Sequence, residues 1–250
     1  MLEVCALTDP GRVRPSNQDS YRIVRELGLY MLADGMGGAR GGARASQLTV
    51  DAVEKALARS PHRDAAALLG AVEEANDLVL AEATRDPNLE GMGTTIVAAL
   101  ETQANDIAIA SVGDSRAYVL HGGELRAVTK DQTWVQEVGR TLGLDEASLR
   151  THPMRHVLTM AVGVGAAVRI LYYAVELEPG DMLLLTTDGL HGVVKETEIR
   201  RILKDGGGSL EDRCQRLMAA AHEAGSPDNV TVMLLRPAPN GDESRNSSSD

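Results

Sequence analysis

Short apolar runs of strand length, parted by clusters of turn residues, recur along the whole chain. They fall at residues 4–8, 21–25, 29–33, 94–100, 107–112, 117–120, 125–128, 168–175, 182–187 and 230–236, and each predicts a β-strand. Helical spacing is confined to three places. Ala45, Leu48, Ala52, Val53, Ala56 and Leu57 form one apolar stripe, in a helix expected to open at Ala43. Leu68, Val72, Ala75 and Val79 form a second, behind Asp64 as a cap. The third runs through Cys214, Leu217, Met218 and Ala221, with Ser209 and Asp212 spaced as a capping box.

Several of these strands are joined too tightly for a crossover helix, as at residues 113–116 and 121–124. Parallel pairing needs about a dozen linking residues or more, so much of the sheet must be antiparallel. The two long helices are grouped, both between Ala39 and Thr84. Grouped helices and grouped strands predict helix layers on antiparallel sheet, an α+β arrangement distinct from a doubly wound Rossmann fold. No repeat or linker interrupts the chain. One unit over residues 1–237 is expected, followed by a polar, flexible tail at 238–250.

Composition narrows the possibilities. With no Phe, one Trp and five Tyr, Leu, Val, Ile, Met and Ala must fill the core, and the composition speaks against base-stacking platforms. A formal net charge of −11 speaks against a nucleic-acid binder and leaves room for divalent cations. Cys5 and Cys214 lie far apart, in no metal-ligand spacing, and read as reduced thiols packed in the core. The start of the chain lacks the features of a signal peptide, and the apolar stretch at 157–168 is shorter than the roughly 18 residues of a membrane span. A soluble, cytoplasmic protein without membrane insertion is expected.

The chemistry lies in a recurring juxtaposition. Four times an apolar strand abuts an aspartate: Asp34 after residues 30–33, Asp114 after 109–112, Asp188 after 182–187, and Asp228 just before 230–235. Strand ends of a packed sheet are rigid and can aim side chains at one point. Carboxylates gathered there repel unless a cation compensates. An oxygen-only donor set suits Mg²⁺, Mn²⁺ or Ca²⁺ and not zinc. A lone Asp-Gly is most often a hairpin turn, but Asp34-Gly35 is a poor one, because residues 36–42 do not resume a strand. That glycine-rich stretch also lacks the Gly-Lys-Ser/Thr ending of a P-loop. Its glycines are better placed to bring backbone near an ion, with the Gly35 carbonyl as a ligand.

Six motifs in order complete the picture. They are Arg14-Pro-Ser-Asn-Gln-Asp19, Leu32-Ala-Asp34-Gly35-Met-Gly37-Gly38, Gly93-Thr94-Thr95, Val112-Gly-Asp114-Ser115-Arg116, Thr187-Asp188-Gly189-Leu190 and Ser226-Pro-Asp228-Asn229-Val230-Thr231. Together they resemble the bacterial PP2C-type metal-dependent serine/threonine protein phosphatases, over nearly the whole chain. The resemblance implies a four-layer α-β-β-α sandwich, with two central antiparallel sheets flanked by helices. It implies two Mn²⁺ or Mg²⁺ ions, with a third in many bacterial members. Asp34 and the carbonyl of Gly35 would hold the first two with Asp188 and Asp228, and Asp114 with Asp188 would hold the third. Asp19 would act through metal-bound water, and Arg14 would grip the phosphoryl group.

The implied reaction is hydrolysis of phosphoserine and phosphothreonine on proteins, by a monomer opposing a cognate Ser/Thr kinase. A non-catalytic regulatory domain that binds phosphoprotein is the alternative. Met36 stands where many eukaryotic relatives have a histidine, so the leaving-group proton donor is unassigned. Residues 131–165 correspond to the family's flap region. There His152 reads equally as a turn residue or a catalytic helper. His62, His121, His191 and His222 fall outside every motif and read as surface or packing residues.

Overall fold

The computed structural model describes residues 2–102, 106–205 and 207–238. Most of the expected polar tail, from residue 239 on, therefore lies outside the described residues. The elements are β1 (Leu2–Asp9), β2 (Asp19–Val24), β3 (Leu29–Met36), α1 (Gly38–Arg59), α2 (Ala65–Arg85), β4 (Gly93–Thr94), β5 (Ile96–Glu101), β6 (Ile107–Val112), β7 (Arg116–His121), β8 (Glu124–Ala127), α3 (Glu146–Thr151), β9 (Leu171–Val175), β10 (Met182–Thr186), α4 (Asp188–His191), α5 (Glu196–Lys204), α6 (Leu210–Glu223) and β11 (Val230–Pro237).

The strands form two sheets, ordered β1-β11-β10-β7-β8 and β2-β3-β5-β6-β9, with β4 paired to β3. Every pairing is antiparallel. Alternation along each strand explains the stacking. Tyr30, Leu32, Val97, Ala99 and Ile109 face Ala117, Val119, Leu183, Leu185 and Met233 of the other sheet. The intervening Leu29, Met31, Ile96 and Ala98 pack outward against α1 and α2. On the opposite side Tyr118, Leu184, Val232 and Leu234 pack against Leu190, Ile199, Cys214 and Leu217 of the other helices. The result is the expected α-β-β-α sandwich. Because both faces of each sheet are buried, its central strands are continuous apolar runs even though they are antiparallel.

The helix caps follow the sequence. The Asp64 carboxylate accepts from the Ala67 N–H, and Ser209 and Asp212 form a reciprocal capping box. Other features differ from expectation, among them the unexpected short helices α3 and α4 and a strand β9 that starts at Leu171 and not at Val168. α1 opens at Gly38, ahead of the expected Ala43, despite the roughly 1 kcal/mol by which each interior glycine disfavours a helix relative to alanine. Packing overrides propensity here, because a Cβ on Gly42 would lie 2.8 Å from the Gly35 carbonyl. The run at 94–100 is broken at Thr95 into β4 and β5. The short helix α5 buries only Ile199, Ile202 and Leu203, too few to stand out in the sequence.

Candidate active site

Neighbouring ends of the two sheets carry the aspartates. Asp19 opens β2 and stands directly opposite Asp34 near the end of β3. Side chains so paired lie within about 5 Å of each other. Asp188 is the first residue of α4, immediately beyond β10, and Asp114 lies in the turn between β6 and β7. Asp228 precedes β11. Asp34, Asp114, Asp188 and Asp228 all line one cavity of about 900 Å³, with Gly35, Met36 and Arg14. Asp19 is outside the lining and buried behind it.

Close backbone approach makes this convergence possible. A Cβ on Gly35 would sit 2.1 Å from the Gly42 carbonyl oxygen and 2.7 Å from that of Gln18, so no larger residue fits where β3 meets α1. The Asp34 N–H donates to Thr95 Oγ1 at 3.0 Å, and Thr94 Oγ1 donates to the Asp34 carbonyl at 2.7 Å. The break between β4 and β5 thus clamps the Asp34 backbone. Asn229 ties the other side together. Its Oδ1 accepts from the Gln18 N–H at 2.8 Å, and its Nδ2 donates to the carbonyls of Pro10 and Ser16. Thr187 and Thr231 donate their hydroxyls to Asp19 Oδ2 at 3.0 and 2.6 Å. These threonines and Asn229 sit inside the quoted motifs, but their roles depend on contacts between residues more than forty positions apart.

Electrostatics sets the character of the cavity. Burial, reinforced by Asp19, Asp188, Asp114 and Asp228, holds the Asp34 carboxyl well above the ordinary carboxylate range. Burial and the charges of Asp188 and Asp131 push Asp114 up to about 8, against the pull of Arg116. Asp19 is pushed up to about 7, chiefly by burial, although the Thr231 and Thr187 hydroxyls favour its charged form. Asp188 is also raised, by burial and by Asp228, while His156, a hydrogen bond with Asp34 and Arg14 oppose the rise. Arg14 donates to Asp228 Oδ2 at 2.6 Å.

Among the described residues, no three acidic, thiol or imidazole side chains are already grouped as a cation cage. In the arrangement seen, Arg14 draws Asp228 to itself, and Asp34 and Asp188 share a hydrogen bond. The donor set nevertheless fits a hard cation. Asp19 Oδ1 and Asp188 Oδ1 are buried with no hydrogen-bond partner, and such atoms call for a proton, water or ion. All the donors are oxygens, held on rigid strand ends.

A profile of the family "Protein phosphatase 2C" matches residues 12–223. The chain belongs to that family. It is 34% identical to the serine/threonine phosphatase stp of Listeria monocytogenes over 91% of this chain and 93% of that protein. In three dimensions it is similar to the serine/threonine phosphatase Stp1 from Staphylococcus aureus, with a TM-score of 0.87 and 32% identity over 96% of each chain. The catalytic domain of PstP, solved in complex with two manganese ions, matches with a TM-score of 0.83 and 34% identity over 94% of this chain and 97% of that one.

The region from Asp131 to Gly165 is closed on itself by an isolated bridge from Thr133 to Leu158 and tied to β4 by one from Thr94 to Val162. His152 stacks on Trp134, with ring centroids 4.5 Å apart, and is absent from the cavity lining, which supports its reading as a turn residue. His156, which the motifs pass over, lines the cavity beside Arg155. Two adjacent basic residues in a strongly acidic chain were its only sequence signal. His191 packs near Tyr118, and burial drives its imidazole well below its ordinary range. His121 pairs with Asp181, and His222 lies near Asp9. Cys214 is buried, with its Sγ 3.6 Å from the Cys5 carbonyl, and burial pushes its thiol up, as suits packing and not nucleophilic catalysis. No helix among the described residues is long and apolar enough to cross a membrane.

Proposed function

We propose that this chain hydrolyses phosphoserine and phosphothreonine on proteins with the help of two Mn²⁺ or Mg²⁺ ions, and that a third ion can join them. The observation that carries the reading is the gathering of Asp34, Asp114, Asp188 and Asp228 around one cavity, with Asp19 behind and Arg14 at its edge. Asp34, the Gly35 carbonyl, Asp188 and Asp228 would hold the pair, and Asp114 with Asp188 the third. Family membership and the manganese in PstP support the choice of metal. Ions of this class supply Lewis acidity, charge neutralisation and a water that ionises near neutral pH.

The chain's own groups do the rest. Arg14 uses one guanidinium nitrogen on Asp228 and can turn its remaining N–H groups to phosphoryl oxygens, which its planar fork matches. Asp19, fixed by two threonine hydroxyls, keeps its unpartnered Oδ1 available to orient water. Met36 has no proton to give to the departing serine or threonine oxygen, so that proton comes from solvent or another group at the cavity.

The catalytic unit in this reading is residues 1–237, acting as a cytoplasmic monomer against a Ser/Thr kinase. Turnover of p-nitrophenyl phosphate and of a phosphothreonine peptide with manganese, abolished by chelator and restored by added metal, is the expected result. Phosphopeptide binding without turnover at any metal concentration would instead establish a non-catalytic regulatory domain.

A further inference from the structure

A closed ring of hydrogen bonds holds Asp19, and one of its members lies outside every quoted motif. Thr8 stands directly opposite Thr231 across the β1–β11 pairing, with their hydroxyl oxygens 2.8 Å apart. Asp19 Oδ2 accepts from the Thr231 hydroxyl at 2.6 Å and from the Thr187 hydroxyl at 3.0 Å. An ionised carboxylate can only accept, and each hydroxyl has a single proton to give. The Thr231 proton is committed to Asp19, so Thr8 donates to Thr231. Thr8 in turn accepts from Asn17 Nδ2 at 2.8 Å, and Asn17 Oδ1 accepts from the Asp19 N–H at 3.1 Å. The circuit runs from Asn17 through Thr8 and Thr231 to Asp19 and back to Asn17, with every donor direction fixed. It joins the first strand, the loop ahead of β2 and the last strand around one carboxylate, whose other oxygen, Oδ1, is buried without a partner.

We infer that Thr8 is a positioning residue for phosphate ester hydrolysis: through Thr231 it fixes the orientation of Asp19 and so of Oδ1, the oxygen left to orient water. The inference rests on the phosphatase reading above. A hydroxyl that receives a hydrogen bond is polarised and gives a stronger one. Thr8 therefore strengthens the bond from Thr231 to Asp19 without touching the carboxylate itself. Thr187 cannot replace this support alone, because its Oγ1 accepts from the Thr231 N–H at 2.9 Å and its place depends on the same strand. Thr231 is buried, whereas Thr8 is exposed at the outer end of the ring. A substitution at Thr8 accordingly leaves core packing alone. Valine has the same branched shape, and its methyl group would occupy the place of the hydroxyl and keep a water from taking over the donor role.

The test measures kcat and KM for p-nitrophenyl phosphate at saturating manganese in the wild type, Thr8→Val, Thr8→Ser, Asp19→Asn and the Thr8→Val, Asp19→Asn double variant. Thr8→Val should lower kcat about fivefold with KM unchanged, the effect of one lost hydrogen bond. Thr8→Ser keeps the hydroxyl and should restore kcat to the wild-type value. On the residual turnover of Asp19→Asn, Thr8→Val should have no further effect, because its action passes through that carboxylate. A residue of purely structural importance would show the same factor in both backgrounds. A second readout needs no metal. In chelator, Thr8→Val should lower Tm by about 2–4 °C in the wild type and by less in Asp19→Asn. An unchanged kcat in Thr8→Val, an equal loss in Thr8→Ser, or the full loss retained beside Asp19→Asn would overturn the positioning role while leaving the phosphatase reading intact. Strictly additive Tm shifts would overturn the coupling through the ring. No turnover by the wild type would overturn the phosphatase reading and this role with it.

Discussion

Removing divalent cations should make this protein less stable as the pH rises, the reverse of the usual carboxylate behaviour. Asp114 moves from the ordinary 3.8 to about 8, and Asp19 from 3.8 to about 7, both chiefly through burial. Each carboxyl therefore holds its proton more tightly in the folded chain than in the unfolded one. Between those limits the folded state binds more protons, so its stability is greatest at the acid end and falls as pH climbs through the folded values. Each pH unit of difference corresponds to about 1.4 kcal/mol. The two groups share repulsion from Asp188, so their effects do not add fully, and roughly 4 kcal/mol is expected between pH 5 and pH 8. For a chain of this size that lowers Tm by about 10 °C. Thermal unfolding followed by circular dichroism, in chelator and in millimolar manganese, reads the effect. Manganese should raise Tm at pH 8 far more than at pH 5, and Asp114→Asn should flatten the slope seen in chelator. A Tm in chelator that stays level or climbs over this range would refute the reasoning, because burial would not then be holding these carboxyls protonated.

Asp34→Asn and Asp188→Asn should each lower kcat by at least a thousandfold at saturating manganese, with unfolding in chelator unchanged or shifted upward; near-wild-type turnover would exclude both as ligands. Arg14→Ala should raise KM for p-nitrophenyl phosphate about tenfold while moving Tm by only a degree or two, because its exposed pair with Asp228 contributes at most about 1 kcal/mol. An unchanged KM would remove the phosphoryl-binding role. Gly35→Ala should destabilise the fold by about 3 kcal/mol or more, since its methyl would meet backbone atoms at 2.1–2.7 Å, and denaturant titration would show it as a lowered midpoint.

Much of this architecture could be read from one sequence, because its determinants are local. Strands buried on both faces are continuous apolar runs, and the Asp64 and Ser209 caps act within a single helical turn. The aspartates were visible because each abuts such a run. Harder to see were elements whose form depends on distant partners. The helix α1 opens over glycines because two of them approach distant chain closely: a Cβ on Gly42 would lie 2.8 Å from the Gly35 carbonyl of β3, and one on Gly41 would lie 3.0 Å from the Met92 side chain. The strand break at Thr95 exists because its hydroxyl clamps Asp34 and reaches Ser115 Oγ at 2.7 Å.

The sequence by itself determined the layers, the antiparallel pairing and the placing of Asp34, Asp114, Asp188 and Asp228 at strand ends, since hydrophobic period and turn chemistry act over a few residues. Only the tertiary structure decided which charges compensate one another. It set Arg14 on Asp228, two threonines on Asp19, and Arg116 on Asp131. Coulomb and hydrogen-bond energies depend on separation in space and on burial, and the chain brings together there residues up to 214 positions apart.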